Sequence, residues 1–447
     1  MSDLRDEWGE RLPRRLGLLG LTAVVISLTF GSGIFRVPAS VAATLESPAL
    51  ILAAWVAGAA VAIVGALTLA ELGAALPRSG GYFVALEEAY GPAPAFAYGW
   101  AELTVIAPAG QGAIAFVVAQ YLAYFVPMSP GTTRIVAAAV VLLSTLLAYT
   151  GVRTAALVTG ASTITKYVGL TLLIVLAALV GRGDPDHFTP LFTPGSGVGV
   201  SAFLAALLTI MFAFDGWGDG LRLAGDVRDP ARNVPLGMFA AVGLVGVIYV
   251  AANLAYMWLL PVSEIASSPF VAASVAERIP LLGSYGGRLM AGLVVVSAFG
   301  TVVACAIAYP RTQFVMADRG LFFRSVGRLS PRFQSPSVAT WTIGVISILF
   351  IFAGDFQRLA DRMILGLWPF YVLCAVGVFI LRRRRPDLKR PYRAWGYPVL
   401  TAAFIAVGLA LMLNALWHDP MNSGITFALL AAGLPIYWAW KKLGRQT

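Results

Sequence analysis

The sequence predicts an all-α polytopic membrane protein of twelve transmembrane helices, built as two five-helix units of opposite orientation with two further helices at the C-terminus. Three observations carry that expectation. Of the 447 residues, 59% are hydrophobic and only 12% are charged, against about 25% charged in soluble domains. Apolar runs of bilayer length recur at roughly 17–45, 49–76, 92–126, 133–150, 157–181, 198–221, 236–260, 286–317, 336–354, 361–381, 396–416 and 423–440. Two of these runs, the first and the sixth, carry glycines and polar residues in mid-span.

The N-terminal segment 1–16 is polar and shows no small-residue cleavage site, so the first run is expected to direct insertion itself. With that segment inside, Arg5, Arg11, Arg14, Arg15, Arg78, Arg153, the arginines from Arg222 to Arg232 and those from Arg311 to Arg332 fall on the cytoplasmic side. The run Arg382 to Arg385, with Lys389, Arg390, Arg393, Lys441, Lys442 and Arg445, joins them. Only Arg134, Arg182, Arg278, Arg288, Arg358 and Arg362 fall outside. This excess follows the positive-inside rule and places both termini in the cytoplasm. The net charge of +10 is therefore topological and calls for the lipid bilayer, with no nucleic-acid partner. Cys305 and Cys374 lie within spans and His187 and His418 in outer loops, which offers no metal site. No cofactor motif, nucleotide loop or nucleophile–base set suggests an enzyme.

The first run breaks at "GSGIF", residues 31–35, and the sixth at "FAFDGWGDG", residues 212–220. The breaks lie five spans apart, and an odd offset reverses orientation in the membrane. Interrupted helices at corresponding positions of two halves point to an inverted-repeat transporter with its site near the midplane. The repeats are expected at 17–181 and 198–381, followed by a basic cytoplasmic linker at 382–395 and the last two spans with the C-terminus at 396–447. The stretch 261–286 is too polar to span and reads as a short lid or re-entrant segment over an outer vestibule.

A break exposes backbone groups that an intact helix would consume. The half-helix starting near Ile34 and Phe35 presents amide N–H groups and a partial positive charge, which suit a carboxylate. Gly31 and Gly33 permit close approach, Ser32 adds a hydroxyl, and Pro38 fits a first helical turn. Free carbonyls near Thr29 and Phe30, with those from Met211 to Phe214, suit an ammonium group. Amides facing carbonyls match a zwitterion, of which a free α-amino acid is the simplest. The competing reading of such glycines is close helix packing.

Charges inside a span are costly and each needs a reason. Lys166 is expected to face the bundle near the first break, where it can titrate as protons are carried; the other reading is snorkelling. Asp215, with Trp217 beside it, is read as an N-cap orienting the unwound sixth span rather than as a ligand contact. Glu71 and Glu102 are read as interhelical hydrogen-bonding groups, and Arg36 as facing the vestibule or snorkelling.

"GSGIF" with its following proline, and "FAFDGW" followed by "AGDVRDPARNVPLG", resemble the amino acid–polyamine–organocation transporters. "YGPAPAFAYGWAEL", "PRTQFVMADRGLFF" and "LRRRRPDLKRPYRAWGYP" are similar to further stretches of that family, nearest its bacterial relatives of the L-type amino acid transporters. The resemblance implies a LeuT-like fold of five-plus-five inverted repeats with two added helices, alternating access, and residence in a bacterial-type cytoplasmic membrane. It implies that Gly31, Ser32 and Gly33 bind the substrate carboxylate. The carbonyls near Thr29 and those of Phe212 and Ala213 would hold the amino group, Phe212 would be the gate, and Lys166 would replace a sodium site. Three positions depart from the pattern. Asp226 stands where Glu is common, Ala107 stands where close relatives carry a basic residue, and "PMSPGTT" lacks the cysteine that would link an ancillary subunit by a disulfide. The expected function is sodium-independent transport of neutral amino acids by exchange or proton coupling. The alternative is a cationic amino acid or polyamine carrier using Asp215 or Glu102. From another class, an amino acid sensor or channel is opposed by the short polar segments and the lack of a continuous polar lining.

Overall fold

The computed structural model describes residues 16–443 apart from Ser79, Gly151, residues 193–197 and Gln334. Arg5, Arg11, Arg14, Arg15, Arg445 and the side chain of Arg153 lie outside the described residues. In chain order the elements are α1 (Leu18–Thr29), a 3₁₀ turn (Ser32–Phe35), α2 (Val37–Leu45), α3 (Pro48–Ala75), α4 (Tyr82–Tyr90) and α5 (Pro92–Ala101). A π-turn (Glu102–Ile106) joins α5 to α6 (Ala107–Leu122), followed by α7 (Pro130–Thr150), α8 (Val152–Val180) and α9 (Val200–Phe214). After 3₁₀ turns at Trp217–Gly220 and Ala224–Asp226 come α10 (Pro230–Leu259), α11 (Val262–Ser267), α12 (Val271–Glu277) and α13 (Gly286–Asp318). The chain ends with α14 (Ser337–Ala353), α15 (Phe356–Arg384), α16 (Val399–His418), α17 (Pro420–Ala431) and α18 (Gly433–Leu443).

The chain is all-helical, with no strand among the described residues. Among the described residues, eight segments are long and apolar enough to cross a membrane: α3, α5 through α6, α7, α10, α13, α15, α16, and α17 through α18. Shorter apolar helices occur at Leu18–Thr29, Ile164–Val180, Val200–Phe214 and Ser337–Ala353. Their outward faces are apolar as well, as Val56, Ile135, Val247, Leu349 and Leu413 show by their exposure. Water penalises such a surface and hydrocarbon does not. Burial ranks the helices by depth: the α5–α6 segment is 94% buried and forms the centre, whereas α16 is 28% buried and lies at the rim.

Helices from the two halves of the chain pack on one another in pairs. α3 runs along α10, α6 along α13, and α7 along α14. The two interrupted runs meet in the same way, α2 against α9 and α1 against the turn Trp217–Gly220.

Several expectations are modified. Helix α9 stops at Phe214, and the rest of the sixth run forms only 3₁₀ turns, at Trp217–Gly220 and Ala224–Asp226. Three glycines in five residues (216, 218 and 220) withhold the propensity an α-helix needs there. The linker expected from Arg382 starts later, because α15 continues to Arg384. The Arg382 guanidinium is held by Glu71 in two hydrogen bonds of 2.8 and 2.6 Å, and its helical turn is fixed with it. The stretch 261–286 forms α11 and α12, whose apolar residues Ile265, Val271 and Val275 are buried. α11 packs on α2.

Candidate functional site

The first break begins where α1 runs out of partners. Phe30 N–H still reaches the Ile26 carbonyl at 2.7 Å, but Gly31 N–H turns back to Thr29 at 2.8 Å. Gly31 is extended (φ −91°, ψ −173°), and Ser32 to Phe35 then form one 3₁₀ turn. The amides of Ser32 and Gly33 open that turn, ahead of its first i→i+3 bond. Pro38 occupies the first turn of α2, where its missing N–H costs nothing. Ser32 and Ile34 are buried, and the hydroxyls of Thr29 and Ser32 have no hydrogen-bond partner in the structure. A buried hydroxyl without a partner is unusual and marks a place where a ligand can supply one.

The second break is a reversal at one residue. Asp215 closes α9 with ψ 147°, and Gly216 takes the left-handed conformation at φ 104°. The two breaks interlock through glycines. A Cβ on Gly33 would stand 2.6 Å from the Ala213 Cα, and one on Gly216 would stand 2.5 Å from the Leu28 carbonyl oxygen. Each break thus rests a bare Cα on the backbone of the other. The packing reading applies to Gly33 and Gly216. The close-approach reading applies to Gly31, whose Cβ would meet nothing nearer than 3.9 Å. Gly216→Ala combines left-handed strain with a backbone clash, so we expect a stability loss of about 2 kcal/mol or more. Thermal unfolding in detergent measures it, and an unchanged midpoint would contradict the interlock.

Around the breaks, Tyr249 of α10 places its hydroxyl 3.2 Å from the Thr29 carbonyl and 3.1 Å from that of Ala213. These are two of the carbonyls expected to hold an ammonium group, one from each break. One hydroxyl proton cannot fully satisfy both, so acceptor capacity remains between them. The Phe212 carbonyl accepts Asp215 N–H at 3.4 Å. The Tyr249 ring sits between Phe30 and Phe214, at 5.6 and 5.1 Å. Phe212 faces another way, edge-on to Phe356 at 5.6 Å. Trp217 packs beside Tyr371 and edge-on to Phe404.

Lys166 is buried, and its ammonium donates to the Ser27 carbonyl at 2.9 Å, near the rings of Phe30 and Tyr167. It does not snorkel; it holds the last turn of α1. Asp215 is not an N-cap. Gly216 occupies that position, and the Asp215 carboxylate meets the Gly216 amide and, at 3.4 Å, the Tyr371 hydroxyl. Arg36 donates to Gln120 at 3.1 Å and lies over the Phe356 ring.

The pairing that charge counting did not anticipate is that of Arg222, expected on the cytoplasmic side, whose side chain turns into the bundle. Its guanidinium pairs with the fully buried Glu102 at 2.7 Å and with Asp219 at 2.8 Å, and donates to Tyr98 at 2.6 Å. Gln313 adds a bond to Glu102 at 3.2 Å. Glu102 opens the π-turn in the central helix, whose wider turn sets this carboxylate on the Arg222 side. Nearby, Leu16 and the segment after the second break exchange backbone hydrogen bonds, Leu16 N–H to Asp226 at 3.0 Å and Arg228 N–H to Leu16 at 2.8 Å. These bonds tie the start of α1 to that segment. Burial raises the Asp226 carboxyl above its ordinary range.

Sequence reasoning missed Tyr249 and the Arg222 pairing. Both left a faint signal: a tyrosine within an apolar span needs a partner for its hydroxyl. Likewise, an in-span glutamate needs a cation, and Arg222 follows directly on the second break.

Comparison with known proteins bears on the same regions. Residues 16–440 match the family described as amino acid permease. The serine/threonine exchanger SteT of Bacillus subtilis is 30% identical over 433 residues, covering 96% of this chain and 98% of that protein. The human b(0,+)-type amino acid transporter 1 is 28% identical, covering 96% and 90%. The rat large neutral amino acids transporter small subunit 2 is 28% identical, covering 96% and 81%.

Proposed function

The chain belongs to the amino acid permease family, and from that premise we propose that it exchanges free neutral α-amino acids across a bacterial-type cytoplasmic membrane without sodium. It is a transporter and not an enzyme. The observation that carries the proposal is the spare hydrogen-bonding capacity at the two breaks: the unpaired Ser32 hydroxyl with the first amides of its turn, and the Thr29 and Ala213 carbonyls that share one Tyr249 proton. A carboxylate answers the first set and an ammonium the second. Gly31, Ser32 and Gly33 then bind the carboxylate, Thr29 and Ala213 the ammonium, and Phe212 covers the substrate.

The pairing of α3 with α10, α6 with α13 and α7 with α14 supports the arrangement of twelve spans as inverted repeats over 17–181 and 198–381. Both termini then lie in the cytoplasm. On this reading the ion pairs of Arg222 with Glu102 and Asp219, and the Leu16–Asp226 bonds, form a seal on the inner side of the breaks. Alternating access requires that seal to open while the Phe212–Phe356 pair closes.

Neutral substrates are favoured over cations because the nearby acids are already engaged. Arg222 pairs with Glu102 and Asp219, and Asp215 accepts from the Tyr371 hydroxyl at 3.4 Å. The serine/threonine specificity in the name of SteT makes small neutral amino acids the first to test. The loop "PMSPGTT" offers no cysteine for a disulfide-linked subunit.

Lys166 supplies the positive charge that holds the end of α1. In proteoliposomes, exchange of labelled serine, alanine or leucine should proceed equally in choline and sodium buffers. Lys166→Met should lower that exchange at least about tenfold, since it removes the ammonium's bond to the Ser27 carbonyl in the last turn of α1. A strict sodium requirement in the wild type would sink the proposal. Binding without counterflow would point to a sensor.

A further inference from the structure

A cavity of about 380 Å³ lies between the last turn of α7, the C-terminal part of α13 and the first turn of α14. None of the residues at the two breaks lines it. Its walls are largely apolar, with Ala148 of α7 and Ala306, Ile307 and Phe314 of α13, and Arg311 is its charged lining residue. Arg311 and Leu329 of the lining are exposed, so the cavity opens at the surface of the bundle. The helix turns around it are apolar outside as well, since Leu146 near the end of α7 and Val338 at the start of α14 are exposed.

Arg311 is set apart from the charge network inside the bundle. Its neighbour Thr312 accepts from Arg222 at 3.5 Å, and Gln313 donates to Glu102 at 3.2 Å. Arg311 stands on the cavity side instead. Among the described residues no ion pair or hydrogen bond engages its guanidinium. The polar lining residues Ser335 and Thr340 have already spent their protons, on the Tyr149 carbonyl at 2.8 Å and the Pro336 carbonyl at 2.9 Å. Arg311 is therefore the lining side chain left to donate to an anion. A small hydrated anion gains nothing from apolar walls and loses water in them. A molecule with an anionic head and a long apolar tail answers both parts of the cavity.

We propose that this cavity binds one anionic phospholipid of the inner leaflet, with its phosphate on Arg311 and part of an acyl chain against Ala306, Ile307 and Phe314. The leaflet follows from the charge asymmetry, which places the arginines from Arg311 to Arg332 inside. The inference needs only that the chain is membrane-embedded and is independent of the amino acid it carries. The plain alternative lets Arg311 snorkel to water, which predicts no preference among lipids.

The test follows the thermal unfolding midpoint of the full chain in detergent as phosphatidylglycerol, phosphatidylcholine or inorganic phosphate is added. Phosphatidylglycerol should raise the midpoint to a plateau, and the other two should not. Arg311→Gln should raise the half-maximal mole fraction of phosphatidylglycerol about three- to tenfold. Ala306→Leu, which fills part of the apolar wall, should raise it by a similar factor. Arg311→Lys keeps the charge and should stay within about twofold of the wild type. Arg383→Gln, at an exposed position outside the cavity, should leave the value unchanged. Equal shifts with phosphatidylglycerol and phosphatidylcholine, or a wild-type value in either Arg311→Gln or Ala306→Leu, overturn the site. So does an equal shift with inorganic phosphate, or a loss in Arg383→Gln as large as that in Arg311→Gln.

Discussion

Gly33→Leu is expected to abolish exchange in a protein that still inserts into the membrane. Only hydrogen occupies the Gly33 position facing α9, and an added Cβ would lie 2.6 Å from the Ala213 Cα and 2.9 Å from its Cβ. Backbone cannot yield as a flexible side chain can, so the two interrupted runs must separate. Overpacking of this kind costs about 1–3 kcal/mol even in cores that can relax. Here the displaced atoms also carry the carbonyl that Tyr249 shares with Thr29. Gly31→Ala is the informative partner, because its Cβ meets no protein atom closer than 3.9 Å. That variant should keep wild-type thermal stability and lose substrate affinity, through crowding of the carboxylate alone. Wild-type exchange in Gly33→Leu would show that the breaks need not touch during transport.

The second large effect is expected at Arg222. Its removal leaves Glu102 fully buried with no opposing cation, and breaking a buried pair in this way costs about 3–5 kcal/mol. Arg222→Met should therefore lower the thermal midpoint markedly. The double variant Arg222→Met with Glu102→Gln should regain part of the loss, since the uncompensated charge is gone. Exchange should stay impaired in the double variant, because the inner seal lacks its ion pair. A midpoint within error of the wild type in Arg222→Met would mean that the network contributes no more than an exposed salt bridge, about 0–1 kcal/mol.

How much of this was legible beforehand varies by residue. The positions of both breaks followed from "GSGIF" and "FAFDGW", because glycine in an apolar run interrupts a local rule that depends on nearby residues only. Lys166 near the first break was anticipated because a charge in a span must face a polar group. The pairing of Arg222 was not legible for a complementary reason. Charge counting along a chain sorts residues into sides of a membrane, and it carries no information on which charges turn inward to pair. The N-cap expected of Asp215 failed because Gly216 can adopt φ 104°, which turns the chain before a cap can form.

By itself, the sequence determined that the chain is helical and membrane-embedded, and where it is interrupted. Hydropathy, glycine spacing and charge asymmetry are local quantities, and a bilayer turns them directly into helices and breaks. Only the tertiary structure decided which groups meet. Gly33 rests on Ala213, Tyr249 spans two carbonyls 184 residues apart in the chain (213 minus 29), and Glu102 finds Arg222. Contacts between residues so distant in sequence depend on how helices pack side by side, and packing is settled by the shapes of all the helices together.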